Sequence, residues 1–189
     1  MLDNSLVTQF FSEIKRLDER RSGWKKIEAI QSISSHVLRA AQIGYVLARL
    51  EEYENPFEVV TLIVFHDNDE TRPGDNDPLA KKYVKIDKER VVHDQVQCLG
   101  AIGESIFELW LRVEKKSDQA ALIAKDADYL EMAVTAHEIN HRRGTKQAQA
   151  WIEDAKRLLT TKSGKELLSL IEASNPDEWW QEAEKTYRT

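Results

Sequence analysis

A nearly unbroken apolar run ends in a group of side chains that commonly bind metals. Residues 59–64 supply the apolar run, and His66-Asp67-Asn68-Asp69-Glu70 follows almost at once. On a helix, positions three and four residues beyond Ile63 stay near the buried face, which places His66 and Asp67 close to the core. Such groups are costly to bury unless something pairs with them, and a divalent metal is a suitable partner. The alternative is a chance pair, which is how we interpret His93-Asp94, one step off its own apolar stripe.

Two further positions could complete a metal site from neighbouring helices. His36 shares a helix face with Ala40, and a lone histidine on such a face is more often structural than functional. Asp126 and Asp128 flank the apolar stripe of a later helix, and periodicity leaves open which of them points into a site. Two imidazoles and two carboxylates suit one divalent transition metal. No spacing matches a compact zinc motif such as His-Glu-x-x-His, so a purely structural interpretation also stays open.

Other polar residues near this group could supply the remaining parts of a hydrolase. Glu70 and Asp75 could orient a metal-activated water and accept its proton. The basic side chains that could hold an anionic group such as phosphate are those of Arg21, Arg72, Lys81 and Lys82. There is no glycine-rich phosphate loop, Rossmann fingerprint or Gly-x-Ser-x-Gly elbow. Metal-assisted hydrolysis is therefore the chemistry that these residues favour.

Helices must position these residues, because apolar side chains recur every three to four positions along most of the chain. A strand over residues 59–64 is the weaker alternative, since its neighbours on both sides are helical. With only 7 Gly and 4 Pro, the chain has few of the turns that a sandwich or barrel needs.

The tandem Trp179-Trp180 is expected to fill the core. The predicted helices cover residues 4–18, 34–53, a segment from Pro56, 87–115 with a break at Gly100 or Gly103, 119–141, and two or three more separated at Ser163-Gly164 and Asn175-Pro176.

Composition narrows the function classes further. The net charge of -6 argues against a general nucleic-acid binder. Cys98 is the only cysteine, which indicates a reducing compartment and no disulfide framework. The N-terminal residues lack the pattern of a signal peptide, and no apolar run approaches the roughly 20 residues that span a bilayer. We expect a cytoplasmic protein with no membrane or nucleic-acid partner.

Several short motifs recur in a distinctive order over about residues 18–140. They are Arg21-Ser22-Gly23-Trp24, Ile33-Ser34-Ser35-His36-Val37-Leu38-Arg39, His66-Asp67-Asn68-Asp69-Glu70, Gly74-Asp75 and Asp128-Tyr129-Leu130-Glu131-Met132. In this order and spacing the chain resembles the metal-dependent phosphohydrolases of the HD-domain family, and among them the 5′-deoxynucleotidase branch. The resemblance favours Asp128 over Asp126. Ser35 stands where an acidic residue is usual, which puts the tuning of the site in doubt but removes no ligand.

The resemblance implies an all-α HD-domain helical bundle forming one domain over residues 1–189, with residues 145–189 used for packing or oligomer contact. One divalent transition metal (cobalt, manganese, zinc, iron or nickel) would be held by His36, His66, Asp67 and Asp128. Glu70 and Asp75 would position and activate the water, Arg21 would bind the phosphate, and Trp24 would lie near the sugar or base. The implied reaction removes the 5′-phosphate from (deoxy)ribonucleoside monophosphates, and the implied assembly is a homo-oligomer, with a dimer favoured. The alternatives are a nucleotide-binding or regulatory HD domain with little catalysis, and a hydrolase of a nucleoside triphosphate or cyclic nucleotide.

Overall fold

The structure is a computed structural model that describes residues 4–18, 31–76 and 79–187. Over these ranges the fold is all-α, as the sequence predicts, and no strand is present among the described residues. Short 3-10 turns follow several of the helices. The helices are α1 (Asn4–Ile14), α2 (Ile33–Leu50), α3 (Pro56–Phe65), α4 (Lys88–Val96), α5 (Ala101–Lys115), α6 (Gln119–Arg143), α7 (Gln149–Leu158), α8 (Lys162–Ala173) and α9 (Glu178–Tyr187).

Both ends of α2 are set by specific residues. Ser32 caps its start, because its hydroxyl accepts a hydrogen bond from the backbone N–H of Ser35 at 3.1 Å. The helix ends at Leu50, earlier than predicted, since Glu52 adopts a left-handed φ of 55° and turns the chain away. The cap therefore fixes where the first turn of α2, which carries His36, enters the core.

The core forms where α2, α3 and α6 pack against one another. Val59, Leu62 and Ile63 of α3 are all fully buried, as the apolar run predicts. Gly44 permits the close approach of α2 and α3, because a Cβ there would lie only 2.2 Å from the Cδ1 of Ile63. Two predicted metal ligands lie on α2 and α6, and the other two directly follow α3, so the core of the molecule also positions the site.

The pattern predicted over residues 87–115 divides into α4 and α5. Gly100, with a φ of 57°, marks the break. Gly103 has a different role, because a Cβ there would lie 2.0 Å from the carbonyl oxygen of Val96. The first glycine therefore turns the chain, whereas the second lets the two helices pack closely.

The chain beyond residue 145 divides into a buried part and an exposed part. Buried apolar residues of α7, α8 and the turns before them extend the main core. The break between α7 and α8 lies at Leu159–Thr161, so the prediction at Ser163-Gly164 was wrong; these two residues lie in the first turn of α8.

The expectation that Trp179 and Trp180 fill the core was also wrong. Their side chains are 67% and 60% exposed. The helix that carries them, α9, has no buried residue, and the two indoles pack edge to face on each other with centroids 5.5 Å apart. None of the described helices is both long and apolar enough to cross a membrane.

Candidate metal centre

Two imidazoles and two carboxylates from three helices meet beside the core. His36 lies in the first turn of α2, His66 directly follows α3, and Asp128 lies midway along α6. The two imidazole centroids are 5.6 Å apart, and one donor atom each of His36, His66 and Asp67 lie within 4.8 Å of one another. The Oδ1 of Asp128 is 3.0 Å from the Nε2 of His36 and 3.7 Å from the Nε2 of His66. The structure thus brings together all four residues predicted to bind a metal.

The orientation of His66 leaves one ring nitrogen free to act as a ligand. Its Nδ1 lies 2.7 Å from the carbonyl oxygen of Ile63, and because a carbonyl only accepts, Nδ1 carries the proton. The buried Nε2 has no hydrogen-bond partner among the described residues, although an oxygen of Asp67 lies 3.1 Å away. A buried ring nitrogen that lacks a hydrogen-bond partner costs about 1–3 kcal/mol. A divalent metal would satisfy this atom, and the mixed nitrogen and oxygen donor set fits one.

Glu131 fixes the second imidazole in the same way. One of its carboxylate oxygens hydrogen bonds to the Nδ1 of His36, while the other accepts from the Nε of Arg39 at 2.8 Å and from the hydroxyl of Thr135 at 3.0 Å. Burial by itself would raise the pKa of Glu131, but the contacts with His36 and Arg39 lower it to about 2. Glu131 is therefore ionised, and it holds His36 with Nε2 facing the other ligands.

The sequence pattern assigns Glu131 no role of its own. A signal was present, because Glu131 lies three residues after Asp128 and shares its helix face. The contact with His36 joins residues that are 95 positions apart in the chain, which periodicity does not reveal.

The surrounding carboxylates favour positive charge at this site. Burial opposes a charge on His36, yet Asp128 and Glu131 raise its pKa to about 10. Burial also opposes a charge on His66, and Asp67 and Asp128 raise its pKa. Neutral imidazole is the form that binds a metal, so an entering divalent ion competes with the protons that these carboxylates favour.

The Asp128 carboxylate connects this pocket to Lys125, a residue that the sequence analysis did not single out. The Nζ of Lys125 lies 2.8 Å from the Oδ2 of Asp128. Burial would raise the pKa of Asp128, but Lys125 and the two imidazoles hold it well below its usual range. Asp128 is therefore ionised, with one oxygen facing the imidazoles and the other facing the ammonium.

Glu70 and Asp75 lie on the tightly turned segment that follows Asp67. The backbone N–H of Glu70 donates to the carbonyl of Asp67 at 2.9 Å, and that of Gly74 donates to the carbonyl of Glu70 at 2.9 Å. Gly74 has a φ of 79°, which favours glycine and orients the chain towards Asp75. The Asp75 side chain is 9% exposed and lies 3.7 Å from the Nζ of Lys81. Two consecutive turns thus connect both carboxylates to a predicted ligand.

Other polar residues named from the sequence have structural roles or lie elsewhere. Asp69 accepts from the Nε1 of Trp110 at 3.0 Å and lies 3.0 Å from the Nζ of Lys88. Arg72, considered above for anion binding, pairs with Glu13 at 2.6 Å. His93 is exposed on α4, as expected. The two residues predicted to contact substrate, Arg21 and Trp24, lie outside the described residues.

Comparison with known proteins identifies the family. The sequence model of the HD domain matches residues 15–171, which is most of the chain. The chain belongs to the HD-domain family. The family resemblance predicted from the motifs is therefore confirmed.

Relatives within the HD-domain family include enzymes with a named activity. The 5′-deoxynucleotidase HDDC2 of Dictyostelium discoideum is 29% identical over 132 residues, covering 63% of this chain and 69% of that protein. The protein of the same name from Danio rerio is 27% identical over 151 residues, covering 76% and 73% respectively. A crystal structure from a genomics project matches with a TM-score of 0.75 and 28% identity, covering 93% of this chain and 99% of the other.

Proposed function

We propose that this HD-domain protein is a metal-dependent phosphohydrolase that removes the 5′-phosphate from (deoxy)ribonucleoside monophosphates. The observation that carries the proposal is the convergence of two Nε2 atoms, those of His36 and His66, with the carboxylates of Asp67 and Asp128. The substrate class is supported by three relatives that carry the name 5′-deoxynucleotidase.

In this proposal the metal ligands are His36, His66, Asp67 and Asp128. Cobalt, manganese, zinc, iron and nickel all accept such a set of imidazole and carboxylate donors. When bound, the ion supplies Lewis acidity to the phosphoryl group and lowers the pKa of water towards neutrality. The protein keeps both histidines in the required tautomer through the carbonyl of Ile63 and the carboxylate of Glu131.

The remaining steps are assigned to side chains of this chain. The carboxylates of Glu70 and Asp75 orient the attacking water, and one of them accepts its proton as the oxygen bonds to phosphorus. The bond between phosphorus and the 5′-oxygen breaks, and the released nucleoside takes up a proton. Arg21 binds the phosphate, where a guanidinium matches the phosphoryl oxygens, and Trp24 lies near the sugar or base.

The proposal is tested by measuring phosphate release from a panel of ribo- and deoxyribonucleoside 5′-monophosphates. The protein is stripped of metal and then supplied separately with Co²⁺, Mn²⁺, Zn²⁺, Fe²⁺ or Ni²⁺. We expect metal-dependent release, and we expect Asp67→Asn to reduce both metal binding and release to background. Asp94→Asn is the matched control, because it alters the other, exposed His-Asp pair. Turnover by metal-stripped Asp67→Asn would contradict the proposal.

The same panel separates the alternatives that the sequence leaves open. Nucleotide binding without phosphate release by the metal-loaded protein would favour a regulatory HD domain. Preferential hydrolysis of nucleoside triphosphates or cyclic nucleotides would change the substrate class while keeping the metal chemistry. In addition, Arg21→Ala is expected to raise the KM for the monophosphate and to leave the metal content unchanged.

We further propose that the protein acts as a cytoplasmic homodimer within which residues 1–189 form one domain. The exposed indoles of Trp179 and Trp180 support self-association, since large exposed apolar groups commonly mark interfaces. The compartment is inferred from the single Cys98. Light scattering on the purified protein tests the assembly, and a monomer at all concentrations would contradict it.

A further inference from the structure

Lys125 places an ammonium group directly behind a candidate metal ligand. Its Nζ is 2.8 Å from the Oδ2 of Asp128, and the Oδ1 of the same carboxylate is 3.0 Å from the Nε2 of His36. The carboxylate therefore lies between the ammonium and the position that a metal would occupy. The Lys125 side chain is 24% exposed, so part of it faces solvent. Its Nζ also lies 5.6 Å from the centroid of the Tyr129 ring.

Two other described cations near the ligands are held by carboxylates that are not candidate ligands. Arg39 pairs with Glu131 and Glu138, and Lys88 pairs with Asp69 and Glu114. Lys125 differs because the carboxylate it contacts is one that the metal would share. A carboxylate that coordinates a divalent ion has less charge to offer an ammonium, so the Lys125–Asp128 contact weakens when the metal binds.

The net charge of the metal-bound site gives a second reason to expect that Lys125 becomes available to an anion. A divalent ion held by two neutral imidazoles and two carboxylates carries no net charge together with its ligands. Glu131 is balanced by Arg39. Glu70 and Asp75 are assigned to the attacking water, and Asp75 lies 3.7 Å from the Nζ of Lys81. Among the side chains in direct contact with the candidate ligands, the ammonium of Lys125 then remains as a positive charge beside the metal, where a phosphate dianion would provide the complementary charge.

We propose that Lys125 is a catalytic residue that contacts the phosphoryl group of the substrate, an inference that rests on the function proposed above. Its flexible four-carbon stem lets the ammonium move from the Asp128 oxygen to a phosphoryl oxygen. Lysine binds phosphate as a point charge, and a cation at this position stabilises the charge that develops on the phosphoryl oxygens during transfer.

The test compares Lys125→Met with wild type in two calorimetric titrations and one kinetic assay. Mn²⁺ alone is titrated into metal-free protein, and inorganic phosphate is titrated into Mn²⁺-loaded protein. We expect Lys125→Met to bind Mn²⁺ within about threefold of wild type but to bind phosphate about 10–100-fold more weakly. The value of kcat/KM for a nucleoside monophosphate should fall about 100-fold or more. Lys125→Arg should recover part of both losses.

Lys156→Met, on the surface of α7, controls for the change in net charge and should behave like wild type. Circular dichroism checks that each variant is folded, and Lys125→Gln replaces Lys125→Met if the latter is not. If Lys125 only holds Asp128 in place, its loss will weaken Mn²⁺ binding, and phosphate binding will return to wild-type strength at saturating Mn²⁺. That result, or unchanged phosphate binding, would overturn the inference.

The two proposals fail in different ways. If wild-type protein hydrolyses no monophosphate, the proposed function is wrong, whereas the phosphate titration still decides whether Lys125 contacts phosphate. If wild type hydrolyses monophosphates but Lys125→Met does so with unchanged kcat/KM, the function stands and the inference about Lys125 is wrong.

Discussion

Asp126 and Asp128 lie two residues apart on α6 and have opposite surroundings. Asp126 is 1% exposed and accepts hydrogen bonds from the backbone N–H groups of Thr160 at 3.0 Å and Thr161 at 2.7 Å. Asp128 instead faces two imidazoles and the ammonium of Lys125. Both are acidic and largely buried, so neither charge nor burial distinguishes a structural carboxylate from a candidate ligand.

The difference lies in the donors that each carboxylate meets. The donors to Asp126 are backbone N–H groups, which neither titrate nor rotate away as side chains do. These hydrogen bonds anchor the start of α8, where Thr161 caps the helix. The partners of Asp128 are side chains that can release a proton or move away, and a cation can replace them. Asp126 is therefore expected to contribute to stability, and Asp128 to metal binding.

The largest effect that this comparison predicts is the loss of the metal site in Asp128→Asn. The amide removes the negative charge and offers only one acceptor oxygen, so metal affinity should fall by more than about 100-fold, beyond the range typical of changes outside the ligand set. Phosphate release should fall to background. Metal content after dialysis and turnover at fixed metal measure both effects, and wild-type metal content in this variant would remove Asp128 from the ligand set.

A smaller loss is expected for Glu131→Gln, because this residue acts through His36. The amide NH₂ would face Nδ1 and force it to accept, which moves the imidazole proton to Nε2 and blocks its lone pair. Metal affinity should fall about 10–100-fold. Glu138→Gln is the matched control, since Glu138 pairs with Arg39 from the same helix but does not contact His36. Equal metal affinities of the two variants would show that Glu131 only balances Arg39.

Local patterns account for the part of this structure that the sequence could predict. Apolar periodicity identified the helices, and two glycines limited the break between α4 and α5 to position 100 or 103; the structure places it at Gly100. The family motifs selected Asp128 over Asp126. Periodicity alone could not, because the Asp126 side chain is satisfied by the turn between α7 and α8, more than 30 residues later in the chain.

Contacts between distant segments explain what the sequence analysis missed. The role of Glu131 depends on a contact with α2, and that of Lys125 on which oxygen of Asp128 faces the imidazoles. The expectation for Trp179 was wrong because an apolar pattern shows that a helix has an apolar side but not whether another segment covers it.

On the structural side of the comparison, Asp126→Asn should lower stability and leave the site intact. An Asn retains one acceptor oxygen, but its NH₂ faces the N–H groups of Thr160 and Thr161, so the loss is about 2–3 kcal/mol. For a chain of this length the Tm should fall by about 4–12 °C. Metal affinity and kcat/KM should stay within about threefold of wild type. Asp154→Asn on α7, where the side chain is 46% exposed, is the control. A loss of metal binding in Asp126→Asn without a change in Tm would reverse the assignment of the two carboxylates.

The smallest effect is expected at the start of α6, where the charge of Asp118 has a structural role. One of its oxygens accepts from the Nε of Arg112 at 2.8 Å, and the other caps the helix through the N–H of Ala121 at 2.9 Å. The bond from Arg112, opposed by partial burial, lowers the pKa of Asp118 to about 2. Because this pKa is depressed on folding, the stabilisation is present above the unfolded pKa of about 4 and is lost as the pH falls through about 2.

Asp118→Asn tests this pH dependence, since Asn also caps helices well and only the charge is lost. The side chain is 37% exposed, so solvent screening limits the difference at pH 7 to about 1 kcal/mol. This corresponds to a Tm about 2–4 °C below that of wild type. The difference should narrow from about pH 4 downwards as wild-type Asp118 takes up its proton. Melting curves between pH 3 and 7 measure this, and a difference that stays constant over the range would show that Asp118 acts through its shape as a cap rather than through its charge.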